Sequence, residues 1–276
     1  MAKMAKMDFN DIDYQRIIGD ILNDMLYVNS SKRGKINSIR SYSEVLVRKI
    51  LNINKSDKFS LGQVEYEKSY KEKGKKLLGD EGYQNLIKVI NKIRPLGNDA
   101  AHTQRLEEFS EKDLSDATEA LFDLIAFLFI SFFEKHPINE NIPHYVLYNF
   151  SLLPPIIRYK TLFYSFEKNK NAIIANKLSL AVVKAFDKEY ALKWLEEHKQ
   201  NFTSIIFNGT NSYEVALTDI NLLGENISKN GKVYETFEEA KKVFLKNKVD
   251  NESQVVKELN SLIDFVYIGR KEARSL

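Results

Sequence analysis

The sequence predicts an all-α protein built as a helical bundle followed by a second helical domain. Three observations carry this reading. Apolar residues recur at helical spacing in one segment after another, and glycine and proline are scarce. The 276 residues also exceed what one ordinary domain holds. With 43% hydrophobic and 29% charged residues, each half can fill a core, which excludes disorder along most of the length.

The elements follow in order. Residues 11–27 carry Ile17, Ile18, Ile21, Leu22, Met25 and Leu26 at the helical period and predict a core helix. After the Ser30-Ser31-Lys32-Arg33-Gly34 break, residues 36–51 turn Ile39, Leu46, Val47 and Ile50 inward, with Arg40, Glu44 and Arg48 spaced for i,i+4 pairing. From 54 to 82 the charge is mixed, and the segment reads as a solvated connection, helical in part; a lysine–tyrosine surface tracking a nucleic-acid backbone is the lesser alternative, since the interleaved glutamates weaken its field. Tyr83, Leu86, Ile90 and Ile93 then mark a third helix. Pro95 is expected to end it at Arg94, because the residue before a proline avoids the α region. Gly97 supplies a turn, Asn98 caps a new helix starting at Asp99, and His102 falls in its first turn. Ser110-x-x-Asp113 is a capping box opening a long helix to about residue 135, whose wide apolar surface makes it central. Residues 120–133 are the most apolar stretch, yet they fall short of a membrane span and carry Asp123, so they read as a buried helix.

Prolines at 137, 143, 154 and 155 place the domain boundary in residues 137–155, between a domain at 9–136 and another at 156–276. Beyond it, residues 156–167, 172–186 and 189–199 have helical spacing, Thr236-x-x-Glu239 is a capping box opening a helix to about 246, and a last helix spans 253–267. Residues 203–207 before Asn208-Gly209 fit either a strand entering a hairpin or a helix and turn; the lack of obvious partner strands favours the second.

Several classes of function are excluded at once. With no cysteine there are no disulfides, thiolate zinc sites or cysteine nucleophiles. A net charge of +3 is too small to announce a nucleic-acid surface, so any basic patch is local. No glycine-rich phosphate loop, GxSxG elbow or metal-ligand spacing is present, so no cofactor and no metal are expected. Residues 1–10 lack the apolar core of a signal peptide, and a cytoplasmic protein without membrane contact is expected.

One segment is chemically loaded: Arg94-Pro95-Leu96-Gly97-Asn98-Asp99-Ala100-Ala101-His102. With Ile93 before it and a long apolar helix after it, it resembles the signature of the DUF4145 group within the HEPN superfamily of helical domains, and the resemblance covers roughly residues 9–136. Many HEPN proteins are metal-independent ribonucleases of toxin–antitoxin or abortive-infection systems, with an Arg-x4-6-His motif completed across a homodimer. The resemblance implies an RNA substrate cut by attack of its 2′-hydroxyl, with His102 as general base or acid and Arg94 on the phosphate. Asn98, Asp99 and Arg105 would support the site or hold RNA, and an antitoxin or defence-complex partner would silence or trigger it. Here seven residues separate Arg94 from His102, and Pro95 replaces the polar residue usual after the arginine.

Other readings of the same residues stay open. Asn98 can serve only as a cap, Arg94 can bond the last carbonyls of its own helix, and His102 can bond across the bundle. The module is then a non-catalytic HEPN domain that binds a protein or nucleic-acid partner, or an unrelated helical adaptor. His136, His144 and His198 flank prolines or end a helix and read as structural.

Overall fold

The computed structural model describes residues 12–54, 57–102, 105–207, 209–232 and 234–272. The chain is all-α, with thirteen helices and one two-stranded ribbon among the described residues. It divides into two compact units, one of Met1–Lys135 with Asp264–Lys271, the other of His136–Ile263 with Glu272–Leu276.

The first unit holds α1 (Ile12–Leu26), α2 (Lys32–Leu51), α3 (Gln63–Tyr66), α4 (Lys68–Ala101) and α5 (Glu111–Lys135). In α1 the buried stripe is Ile18, Leu22 and Met25, while Ile17 and Leu26, expected inward, are 48% and 40% exposed. Three- and four-residue steps from 18 to 22 to 25 stay on one line, which 17 and 26 leave on opposite sides. Helix α2 packs on α4 and α5 and buries Ile39, Leu46, Val47 and Ile50. The α5 capping box forms as expected: the Asp113 N–H donates to Ser110 Oγ at 3.1 Å, and the Ser110 N–H donates to Asp113 Oδ2 at 2.8 Å.

Two expectations fail in α4. The charged stretch at 66–76 is not a connection but mostly the opening of this helix, because Tyr70, Gly74 and Leu78 recur every fourth residue beneath the charges and are buried. Gly74 has no side chain because Tyr83 fills its place; a Cβ there would lie 2.5 Å from the Tyr83 ring. Nor does the helix end at Arg94. It runs through Pro95 to Ala101, and its one non-helical residue is Gly79, with φ 74° and ψ 174°. Leu86, Ile90, Ile93, Gly97 and Ala100 keep one buried face on both sides of Pro95. That packing outweighs the roughly 3 kcal/mol by which proline disfavours a helix interior.

The second unit contains α6 (His144–Phe150), α7 (Pro155–Lys168), α8 (Ala172–Ala185), α9 (Lys188–Glu197), α10 (Lys199–Thr203), β1 (Ile206–Phe207), β2 (Thr210–Asn211), α11 (Ser212–Asn230), α12 (Phe237–Asn247) and α13 (Gln254–Tyr267), whose end belongs to the first unit. Residues 137–155, read as a connection, carry α6 within this unit. Asn149 is fully buried there, donating to the Val249 carbonyl at 2.8 Å and to Asn260 Oδ1 at 2.7 Å. The strand alternative holds at 206–207, since β1 pairs antiparallel with β2, and helix α10 occupies the residues just before. Helix α11, which the hydrophobic pattern does not single out, is opened by Asn211, whose side chain accepts from the Glu214 N–H at 3.0 Å. No helix among the described residues is long and apolar enough to cross a membrane.

Candidate functional site at the end of helix α4

A helix ends with carbonyls that have no N–H four residues ahead, and here an arginine from another helix supplies the donors. Arg33, in the first turn of α2, sends Nη1 to the carbonyls of Asp99 at 2.9 Å, Ala100 at 3.4 Å and His102 at 3.0 Å, and Nη2 to that of Arg105 at 2.5 Å. Its positive charge lies at the negative end of the α4 dipole. Seven residues on, Arg40 lies against Gly97, where a Cβ would come within 2.6 Å of the Arg40 Cδ. Gly97 is therefore not a turn residue but the place where α2 crosses α4 closely.

Beyond the helix end, Phe109 is buried, at 4% exposure. The Arg105 guanidinium carbon is 4.1 Å from the Phe109 ring centroid, and that of Arg33 is 5.2 Å from it. Arg105 also pairs with Asp113 at 3.1 Å and Asp99 at 3.6 Å. Hydrogen bonds from Ser110, and then the charge and hydrogen bond of Arg105, hold the Asp113 carboxyl below its ordinary range. A cleft of about 380 Å3 opens beside these residues, lined by Lys32, Arg33, Leu106, Glu107, Glu108 and Phe109.

The motif residues are distributed differently from the expectation. His102 is not in the first turn of a new helix; it is the C-cap of α4, with its N–H donating to the Asn98 carbonyl at 3.0 Å. Its side chain is exposed, and the ring makes no hydrogen bond with a described residue. Asn98 caps nothing, since it lies inside α4. Asp99 and Arg105 meet in the ion pair just described. Arg94 does not reach the last carbonyls; it donates to Glu65 Oε2 at 3.3 Å and lies over the Tyr66 ring at 5.8 Å. The eight helical steps from Arg94 to His102 set them about 12 Å apart along the axis and about 80° around it. One chain therefore does not bring this pair together.

Arg33 and Phe109 are the residues the motif did not point to. A signal for Arg33 was present: a basic residue in the first turn of a helix opposes that helix's own dipole, so its charge asks for another partner. Of the other histidines, His136 faces Glu258 at 3.3 Å, and His198 stacks on Trp194 at 4.4 Å while its Nδ1 bonds the Trp194 carbonyl at 2.8 Å. Among the described residues, no group of three or more His, Asp or Glu side chains is placed to hold a metal ion. Compared with family models, with curated proteins and with solved structures, the chain has no match in any of the three.

Proposed function

We propose that the first unit is a HEPN-like helical module that recognises a macromolecular partner at the C-terminal end of α4 and is not itself a nuclease. One observation carries this reading: Arg94 is held by Glu65 at 3.3 Å, about two helical turns from His102. General acid–base chemistry on a phosphodiester needs the imidazole and the phosphate-holding cation on the same few atoms. Arg33 and Arg105 do not replace Arg94, because their donors go to main-chain carbonyls and to Asp99 and Asp113. The partner would belong to a bacterial defence or toxin–antitoxin assembly, as the motif's resemblance implies.

A second reading is favoured by the exposed imidazole of His102, which stands open to a second copy of the chain. In it, two protomers combine to cut RNA without a metal. Incubation of the intact chain with single-stranded RNA in the presence of EDTA separates the two. The module reading expects no cleavage above background and no difference between the wild-type chain and His102→Ala. Cleavage that His102→Ala abolishes in a folded protein overturns it.

A further inference from the structure

The charges at the end of α4 differ in how far the protein has already answered them. Lys32 pairs with Glu111 at 2.9 Å, Arg33 is engaged by carbonyls, and Arg105 lies between Asp113 and Asp99. Glu107 and Glu108, on the rim of the same cleft, are exposed and make no ion pair or hydrogen bond with a described residue. Between them and the helix end, Leu106 is 92% exposed, an apolar side chain held in water beside the buried Phe109.

From this we infer that the cleft receives a basic segment of a protein partner that carries an apolar side chain, and not a nucleic-acid strand. The inference rests on the binding-module reading above and names the class of its partner. A phosphate backbone brings one negative charge per nucleotide toward two unanswered carboxylates and finds the two cations that line the cleft, Lys32 and Arg33, already engaged. A lysine- or arginine-bearing segment gains from both glutamates, and an apolar side chain beside it covers Leu106, which is favourable by about 25 cal/mol per Å2 of apolar surface removed from water. The volume of about 380 Å3 is near the lower end of ligand clefts and suits a few side chains.

The test uses the full chain and fluorescence polarisation with three labelled probes: a peptide of alternating lysine and leucine, its glutamate–leucine counterpart, and single-stranded oligouridylate. Only the lysine–leucine peptide is expected to bind. Its Kd should rise by about tenfold in the double variant Glu107→Gln/Glu108→Gln and by about threefold in Leu106→Ser, as lost charge and apolar contacts do. The double variant Glu140→Gln/Glu189→Gln, which neutralises two exposed acids of the second unit, should leave it unchanged. Three results overturn the proposal: oligouridylate binding that tightens when Glu107 and Glu108 are neutralised, equal weakening in the control variant, or no binding of the basic peptide. These are distinguishable from failure of the module reading, which shows as metal-free RNA cleavage lost in His102→Ala whatever the peptide does.

Discussion

A guanidinium facing four main-chain carbonyls cannot be exchanged for an ammonium without loss, because the planar fork presents its N–H groups in fixed directions that a single nitrogen does not reproduce. Arg33 is placed in this way. Hydrogen bonds to charged groups contribute about 1.5–3 kcal/mol, so Arg33→Met should lower stability by about 2–3 kcal/mol and Arg33→Lys by about 1–2, read from urea unfolding. Asp113 makes a pH-dependent contribution of known sign. Its carboxyl is depressed in the folded chain, so the stability it adds is complete above the ordinary aspartate pKa of about 3.9 and is lost as pH falls below that value. The wild type should exceed Asp113→Asn by about 1 kcal/mol near neutrality, the usual size of a helix cap, and the difference should shrink on acidification below about pH 4. A constant difference across that range would show that ionisation of the Asp113 carboxyl contributes nothing.

At the scale of the element, α4 shows what was legible and what was not. The buried face of Leu86, Ile90 and Ile93 could be read, as could the Ser110/Asp113 box, because both are local patterns. The course through Pro95 could not, because local preference at a proline is settled here by packing of Gly97 and Ala100, and the crossing of Arg40 over Gly97 is invisible along one chain. The same cause hid the start of α4, where buried Tyr70, Gly74 and Leu78 lie among lysines and glutamates. It also changes the meaning of the motif, because a continuous helix parts Arg94 from His102. Two substitutions test this description. Pro95→Ala should stabilise the chain by about 1–2 kcal/mol, the helix penalty of proline less the entropy it removes from the unfolded chain, whereas a turn at this position would make the substitution a loss. Gly79→Ala should destabilise by about 1–3 kcal/mol although nothing lies within 4 Å of the new methyl, because φ 74° and ψ 174° is a region open almost only to glycine. Thermal unfolding of both variants gives the two signs.

Across the whole molecule, the chain divides into two compact helical units, and the first is not contiguous in sequence. Its last piece, Asp264–Lys271, returns from the far end of the chain. There Gly269, at φ 70°, lies so close to α1 that a Cβ would be 2.7 Å from the Gly19 Cα, and the Lys271 N–H donates to the Tyr27 hydroxyl at 2.9 Å. Gly269→Ala should therefore destabilise the first unit by about 2 kcal/mol or more through both strain and overpacking, seen as faster hydrogen exchange in α1. No local pattern reveals a return of this length, which is why residues 9–136 read as a complete domain. The functional account turns on whether two whole chains ever combine Arg94 and His102 into one site. The measurement is RNA cleavage in EDTA by the wild type, by Arg94→Ala, by His102→Ala and by an equimolar mixture of the two variants. The binding-module account predicts background cleavage in all four. Cleavage by the wild type that each variant loses and their mixture regains would contradict it, because only a site shared between two chains can be rebuilt in that way.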